Sequence, residues 1–230
     1  MPELPIVIIP ARGGSKGLHC KNLAVCAGKP LLQWAVEYAQ RARFVSQDRI
    51  VVTSEDDEML YAATRLGCWG LERPQYLATD ATPIAAVLRD AVDRLSADTI
   101  VLLYPNVPVR PEGMIDKCVR KLETTGCDSV RTVSPVGKMH PGWMVRLMGD
   151  MIIDPGPRPD RRQDLPPFYI EDGCCAVLRR EWVMREGLGP HGMYGLSQKA
   201  VICPEGSVVD VDTQADLERA ESILLRTGKP

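Results

Sequence analysis

Apolar positions along the chain follow two alternating patterns: short continuous runs, and longer stretches with apolar residues every three or four positions. Residues 6–9 are a continuous run of the kind found in strands buried on both faces, and residues 50–52 and 99–104 hold similar runs. Residues 83–95 show the clearest helical spacing. This alternation of strand and helix predicts an α/β fold with a mainly parallel, doubly wound sheet.

The same patterns place the remaining elements. Helices are predicted at residues 30–39 with Pro30 at the first helical position, at 55–66 with Ser54 as the N-cap, and at 111–125. A last helix follows Thr213, which pairs with Asp216 in a capping arrangement. Further strands are predicted at residues 68–74, 176–178, 199–203 and 207–213.

The alternation stops near Val133. Residues 134–172 are rich in Pro, Gly and Arg and carry only a weak hairpin pattern at 143–153. About forty residues without a helix inside a compact domain need a reason. The segment is either an irregular surface excursion or an arm that packs on a second subunit, and we favour the arm. We therefore predict one domain over residues 1–230, with 134–172 inserted in it as a dimerisation arm.

Composition excludes several classes of protein. The chain has 230 residues, of which 45% are apolar and 25% charged, and a net charge of −2 gives no general affinity for nucleic acid or anionic membrane. No apolar run approaches the ~20 residues that span a bilayer, and the first residues do not resemble a signal peptide. Eight scattered cysteines without a C-x-x-C pair are typical of reduced, buried thiols. We therefore expect a cytoplasmic protein.

The loop after the first strand carries the strongest chemical signal. It holds three glycines together with Arg12, Lys16 and Lys21. Glycines let backbone N–H groups approach an anion, and cations this close repel one another unless a polyanion lies among them. A dinucleotide fingerprint fails because its first glycine would fall on Arg12, and a P-loop fails because no Gly-Lys-Ser/Thr is present. A solvated turn would explain the glycines but not the cations, so a nucleoside triphosphate is the predicted ligand.

A second signal lies near the end of the chain. Asp210 and Asp212 are two positions apart on the predicted strand 207–213, so their side chains point to one face. Like charges in this arrangement are unfavourable unless a cation joins them, and Mg²⁺ prefers one or two carboxylates with phosphate oxygens and water. The alternative is that Asp212 only caps the last helix and Asp210 is merely exposed.

These two segments resemble one known family. Pro10-Ala11-Arg12-Gly13-Gly14-Ser15-Lys16-Gly17, followed by Lys21-Asn22, is similar to the opening motif of the acylneuraminate cytidylyltransferases. The segment from Asp210 to Thr213 resembles the metal-binding D-x-D-T of the same family. The resemblance implies a fold of the nucleotide-diphospho-sugar transferase type and a homodimer. The implied reaction joins CTP to a sialic-acid-like 2-keto sugar acid, giving a CMP-sugar and pyrophosphate, with Mg²⁺ as cofactor.

The resemblance also implies roles for individual residues. The catalytic set is Arg12, Lys16, Lys21 and Asp212, and the metal ligands are Asp210 and Asp212. The nucleotide would be bound by Ala11, Arg12, Gly13, Ser15, Lys16, Lys21, Asn22, Arg73 and Thr82. The sugar acid would be bound by Tyr104, Arg110, Arg162 and Gln163.

Departures from the family pattern leave the sugar open. Tyr104 stands where the family has a Gln that touches the sugar acid, and Glu171-Asp172-Gly173 replaces the usual Asn-Gly. Related acid sugars such as Kdo or a legionaminic-type sugar are therefore alternatives. From another class, a catalytically silent nucleotide-binding homologue is a further alternative, against which both aspartates and all three loop cations argue.

Overall fold

In a computed structural model that describes residues 4–14, 20–153, 156, 161–189 and 191–228, the chain forms one large sheet flanked by helices. The strands are β1 Ile6–Pro10, β2 Val25–Cys26, β3 Lys29–Pro30, β4 Ile50–Ser54, β5 Trp69–Glu72, β6 Thr99–Leu102, β7 Ser129–Pro135, β8 Arg146–Met148, β9 Met151–Ile153, β10 Tyr169–Arg179 and β11 Gln198–Ile202. The helices are α1 Leu31–Gln40, α2 Asp57–Arg65, α3 Ile84–Asp93, α4 Met114–Thr125, α5 Arg180–Val183 and α6 Gln214–Thr227. In the part of the chain covered, no helix combines the length and apolarity needed to cross a membrane.

The main sheet has the strand order β11-β7-β10-β6-β1-β4-β5. β1 is parallel to both of its neighbours, β4 and β6, and β5 and β11 are also parallel to the strands they pair with. Within the main sheet as described, β10 runs antiparallel to both of its neighbours, β6 and β7. The predicted α/β fold with a mainly parallel, doubly wound sheet is confirmed.

Side chains of β1 alternate between two layers of the core. Val7 and Ile9 face the layer that contains α1 and α4, whereas Ile6 and Ile8 face the layer that contains α3. All four are buried, as expected for a central strand covered on both faces. A smaller cluster packs α6 against α1 through Trp34, Val211, Ala220 and Leu224, among others.

Several predicted helix boundaries are wrong by a few residues. Helix α2 is capped by Asp56, whose carboxylate accepts a hydrogen bond from the Met59 N–H at 3.1 Å. Ser54, the predicted cap, instead ends β4 and accepts from the Asp56 N–H. Pro30 precedes α1 rather than opening it, because it pairs with Val25 in a short two-stranded sheet. Thr213 and Asp216 do form the predicted capping box of α6.

The predicted last strand, residues 207–213, is wrong as a strand. Its only ladder contact in the described chain is an isolated antiparallel bridge between Val209 and Val109. The Val211 N–H donates to the Asn106 carbonyl at 2.8 Å, so the segment lies extended beside residues 106–109 without joining the main sheet. Val209 and Val211 are buried, whereas Asp210 and Asp212 are more exposed, so the predicted alternation is confirmed.

The insertion is shorter than predicted, because the first and last residues of the predicted segment belong to strands of the main sheet. β7 continues to Pro135 and β10 begins at Tyr169, so residues 134–135 and 169–172 of the predicted arm belong to the main sheet. The weakly predicted hairpin is confirmed as β8 and β9, which pair only with each other. Neither the long β7 nor the first half of β10 was among the predicted strands.

Adjacent leucines in α6 provide a test of this packing. Leu224 is 2% exposed and Leu225 is 67% exposed. We expect Leu224→Ala to lower the free energy of unfolding by about 2–5 kcal/mol, because it leaves a cavity between α6 and α1. Leu225→Ala should change it by no more than about 0.5 kcal/mol. Urea unfolding followed by circular dichroism measures both, and equal losses would show that α6 does not pack as described.

Candidate active site

A cleft of about 460 Å³ opens at the carboxyl ends of the parallel strands β1, β5 and β6. In open α/β sheets this edge is where ligands bind. The loop after β1, the loop after β5 and the segment after β6 supply most of its walls, and the extended segment before α6 closes one side. Its lining residues are Pro10, Arg12, Lys21, Asn22, Arg73, Leu77, Thr79, Asp80, Thr82, Ile84, Val87, Tyr104, Pro105, Asn106 and Asp212.

The glycine loop is fixed by hydrogen bonds at both of its described ends. Ala11 donates its N–H to the Thr53 carbonyl at 3.0 Å, and the Asn22 amide donates to the Arg12 carbonyl at 2.9 Å. Gly13 donates its N–H to the Glu55 carboxylate at 2.8 Å. A Cβ on Gly13 would lie 2.3 Å from an Asp56 carboxylate oxygen, so this position requires glycine. The predicted phosphate ligands Ser15 and Lys16 lie outside the described residues.

Glu55 is the anchor of this loop. Its Oε2 accepts from Nε of Arg73 at 3.1 Å and from Nη2 at 2.7 Å, and both side chains are almost fully buried. Burial raises the pKa of Glu55, but the hydrogen bonds from Arg73 and from the Gly13 N–H outweigh it, so the pKa lies below its ordinary value. Glu55 therefore stays ionised and joins the loop after β1 to the end of β5.

Two predicted cations reach the cleft and are held by acids there. Arg12 forms an ion pair with Asp80, and Nζ of Lys21 lies 2.8 Å from Oδ1 of Asp212. The Lys21 pair joins the start of the chain to its end across 191 positions. Partly exposed ion pairs contribute only about 0–1 kcal/mol each, so a polyanion can take both cations at little cost.

Of the two predicted metal ligands, Asp212 lines the cleft and Asp210 lies near enough to feel its charge. Asp210 accepts a hydrogen bond from the Asn106 amide, and Asp212 is held by Lys21. Burial raises the pKa of Asp210, and the neighbouring Asp212 raises it further. Two carboxylates that repel in this way suit a divalent cation. No group of three potential metal ligands occurs among the described residues, so phosphate oxygens and water would complete the shell, as Mg²⁺ prefers.

A second cavity of about 330 Å³ adjoins the cleft and shares Tyr104 and Asn106 with it. Asp210 also lines this cavity, so one of the predicted metal ligands faces it while Asp212 faces the cleft. Its other lining residues are Arg131, Thr132, Glu171, Gly173, Cys175, Ala176 and Tyr194. The two cavities therefore adjoin, with one aspartate of the acidic pair lining each.

A bulge in β10 shapes this second cavity. The pairing of β10 with β7 shifts between Glu171 and Ala176, and Gly173 there has a φ of 68°, which favours glycine. Asp172 is held inside the bulge by the hydroxyls of Thr132 and Ser134. The acidic Glu-Asp-Gly sequence thus has a local cause, because Asp172 ties the bulge to β7.

Of the three residues predicted for the sugar acid whose side chains the structure describes, Tyr104 lines the cavities and Arg110 and Gln163 do not. Tyr104 lines both cavities, and burial raises the pKa of its hydroxyl. Arg110 is buried and donates to the carbonyls of Tyr104, Val107 and Cys174, so it supports the segment after β6 and lines neither cavity.

The other two lie in the insertion. Gln163 is exposed there, in a short turn over Arg162–Asp164, and lines neither cavity. The side chain of Arg162 lies outside the described part of the structure.

Two other predicted nucleotide contacts, Thr82 and Arg73, also line the cleft. The Arg73 guanidinium is at the same time paired with the Glu55 carboxylate. The sequence reasoning missed Glu55, Asp80, Asn106 and Arg131. Asn106 and Asp80 could have been found, since each lies two positions from a predicted site residue, Tyr104 and Thr82. Glu55 and Arg131 stand in ordinary polar surroundings and gave no signal.

Comparisons with known proteins identify the family of this chain. A family model described as Cytidylyltransferase matches residues 6–141, more than half of the chain, so the chain belongs to this family. In the solved structure of CMP:2-keto-3-deoxy-manno-octonic acid synthetase complexed with CTP, the fold is the same with a TM-score of 0.76 at 17% identity, over 98% of this chain and 100% of that one.

Curated relatives are similar over most of this chain. The chain is 31% identical over 189 residues to N-acylneuraminate cytidylyltransferase of Streptococcus agalactiae serotype III, covering 79% of this chain and 45% of the relative. It is 25% identical to pseudaminic acid cytidylyltransferase of Campylobacter jejuni, covering 94% of each protein. The chain thus spans about half the length of the first of these relatives and nearly all of the second.

Adjacent glycines test the anchoring of the loop. We expect Gly13→Ala to lower the free energy of unfolding by about 1–3 kcal/mol, because the new methyl group meets the Asp56 carboxylate. Gly14→Ala is the matched control, since a Cβ there has nothing within 4 Å. Urea unfolding without ligand measures both. A Gly13→Ala protein as stable as the control would contradict the described approach of the loop to α2.

Proposed function

We propose that this protein is a cytidylyltransferase that joins CTP to a 2-keto sugar acid and releases pyrophosphate. The observation that supports the proposal is the 2.8 Å contact between Lys21, from the glycine loop, and Asp212, since both side chains line the cleft. Membership in the cytidylyltransferase family supports the nucleotide, and the relatives named for acid sugars support the acceptor. A chain with this substrate would work in the cytoplasm.

In this proposal the triphosphate lies over the glycine loop. Arg12 and Lys21 leave Asp80 and Asp212 to neutralise its oxygens, and Ser15 and Lys16 join them from the same loop. Ala11, Gly13, Asn22, Arg73 and Thr82 frame the nucleotide, with Asn22 and Arg73 acting mainly by holding the loop and the end of β5 in position.

Asp210 and Asp212 would hold Mg²⁺, which when bound acts as a Lewis acid at the α-phosphate. The anomeric hydroxyl of the sugar acid, in the second cavity, attacks the α-phosphorus in line. The new bond forms between that oxygen and phosphorus, the bond to the β-phosphate oxygen breaks, and the hydroxyl proton passes to water. Pyrophosphate leaves on Arg12 and Lys21, so positioning and charge neutralisation carry the catalysis.

The sugar is proposed only as a class. Tyr104 occupies the junction of the two cavities, where the resembling family has a shorter amide side chain. A sialic-acid-like acceptor is our first choice, and Kdo, legionaminic and pseudaminic acids are alternatives. A legionaminic acid relative supports this range: CMP-N,N'-diacetyllegionaminic acid synthase of Legionella pneumophila is 26% identical over 95% of each protein.

The central prediction is metal-dependent pyrophosphate release. With CTP, Mg²⁺ and a panel of these four sugar acids, we expect release with at least one acid, and less with UTP, GTP or ATP. Arg12→Ala and Lys21→Ala should each lower turnover by a factor of at least tens, because each removes a charge-assisted phosphate contact. Asp212→Asn should abolish most turnover without loss of fold, whereas Glu218→Gln, an exposed acid on α6, should change little.

Three outcomes would contradict this function. Full activity of the wild type in EDTA, or of Asp212→Asn, would remove the metal role. Equal thermal protection by all four triphosphates would remove the preference for cytidine. A protein that binds CTP but releases no pyrophosphate with any acid would instead be the silent nucleotide-binding homologue.

We further propose that the chain forms a homodimer through the insertion. Hairpin β8–β9 pairs with no other strand of the described chain, yet its apolar side chains Leu147, Met148, Met151 and Ile152 are each more than half exposed. Neighbouring Trp143, Met144 and Val145 extend this apolar surface. Contiguous exposed apolar patches mark interfaces, and two-fold dimers are the commonest oligomers. In a dimer the arm could also bring Arg162 and Gln163 to the partner's sugar site.

Light scattering tests the dimer. We expect twice the mass of one 25.4 kDa chain for the wild type and one chain's mass for the double variant Leu147→Asp, Ile152→Asp. Leu225→Asp, an equally exposed leucine on α6, is the matched control and should stay dimeric. A wild-type species of one chain's mass would rule the dimer out.

Mixing two inactive variants tests whether the arm contributes to the partner's active site. Inactive Asp212→Asn chains and inactive Arg162→Ala chains should regain activity together if the arm serves the partner's site.

A further inference from the structure

The second cavity contains a cation that none of the roles above uses. Arg131 on β7 lies opposite Ala176 of β10 and lines the cavity together with Tyr104, Asn106 and Asp210. No other Lys or Arg is among the residues that line this cavity. An acid sugar bound there, with its hydroxyl toward Asp210, would meet Arg131 as the nearest available partner for its carboxylate.

Arg131 is held in place from two sides. Its guanidinium stacks 4.1 Å above the centre of the Tyr194 ring, and Nη2 donates to Oε1 of Gln198 at 2.6 Å. Stacking on an aromatic ring and a planar fork of N–H donors are the features that make arginine suited to a carboxylate. The side chain is 22% exposed, so it is oriented by its neighbours yet open to the cavity.

The third partner of Arg131 is itself a carboxylate. Nη1 donates to Glu171, which stands at the bulge of β10 and is 53% exposed. An ion pair with one half-exposed member contributes little to stability, and Glu171 can turn to water when another carboxylate arrives. Glu171 thus occupies the place that a ligand carboxylate would take.

We propose that Arg131 binds the carboxylate of the acceptor sugar, in exchange for the carboxylate of Glu171. This inference rests on the proposed function and adds a residue that selects acid sugars over neutral ones. Glu171 acts as a competitor: while no acceptor is present it neutralises Arg131, and it keeps other small anions off the guanidinium. Arg131 and Glu171 should therefore affect acceptor binding in opposite directions.

The test measures sugar-acid binding apart from turnover. N-acetylneuraminic, legionaminic and pseudaminic acids and Kdo are each titrated calorimetrically into the protein with CMP present, which has no pyrophosphate to release. For the acid that the wild type binds best, Arg131→Gln should weaken binding about tenfold to a hundredfold, as the loss of a charge-assisted hydrogen bond does. The affinity of Arg131→Lys for the acid should lie between those of the wild type and Arg131→Gln. Glu171→Gln should strengthen binding several-fold.

Controls separate this role from a structural one. CMP affinity reports whether the nucleotide cleft is intact, and Arg226→Gln, an exposed arginine on α6, should leave all affinities unchanged. The neutral carboxamide of the same sugar should bind wild type and Arg131→Gln alike. If Arg131→Gln does not fold, the lysine variant and Glu171→Gln still give the two predicted directions.

Several outcomes would overturn the inference. Unchanged acid binding by Arg131→Gln would place the carboxylate elsewhere, while pyrophosphate release with sugar acids would leave the proposed function standing. Equal weakening by Arg131→Gln and Glu171→Gln would show that the pair only supports the pairing of β7 with β10. A wild type that binds none of the acids would overturn the inference and the proposed acceptor together, and CMP binding would show whether the nucleotide site survives.

Discussion

The rest of the site depends on the hydrogen bonds that the buried carboxylate of Glu55 accepts. It receives Arg73 from the end of β5 and the N–H of Gly13 from the glycine loop, so it joins three segments that are far apart in the sequence. A buried ion pair with one partner removed costs about 3–5 kcal/mol, because the other charge is left uncompensated. Glu55 therefore keeps the loop pressed against the start of α2, with the backbone of residue 13 so close that only glycine fits.

This anchored loop determines where charge can gather. Arg12 and Lys21 form ion pairs with Asp80 and Asp212, and all four residues line the cleft. These pairs are exposed enough to exchange partners, whereas the Glu55–Arg73 pair is not. The buried pair therefore holds the scaffold, and the two exposed pairs are the ones that can give way to a ligand. A triphosphate would replace the weak pairs and leave the scaffold unchanged.

Much of this organisation could be predicted from the sequence. Periodicity located the central strands and the amphipathic helices, because residues 6–9 and 83–95 are patterned by burial alone. It failed where polar residues have tertiary partners: β10 begins with Tyr169, Ile170 and Glu171, and its acidic bulge looks like a loop until Thr132 and Ser134 are seen to satisfy Asp172. For the segment around Asp210, the predicted alternation of buried and exposed side chains is correct. The predicted strand is wrong, because the segment lies beside residues 106–109 rather than in the sheet.

The prediction of site residues succeeded and failed for the same reasons. Arg12, Lys21, Asp210 and Asp212 carry charges that the sequence alone marks as unusual. In the structure Arg12, Lys21 and Asp212 line the cleft, and Asp210 lines the adjoining cavity. Arg110 matched the family pattern but is buried among backbone carbonyls, which no pattern of residue types could show. Arg131 matched no pattern, and only the pairing of β7 with β10 places it beside Tyr104 and Asp210.

A crystal structure with CTP and Mg²⁺ tests the account most directly. We expect the triphosphate between the glycine loop and the two aspartates, with the metal on Asp210 and Asp212. Nζ of Lys21 should have moved from Asp212 to a phosphate oxygen. A triphosphate bound elsewhere, or one bound in the cleft with the contact between Lys21 and Asp212 intact and no metal at the aspartates, would contradict the claim that the loop cations and the acidic pair act on one triphosphate.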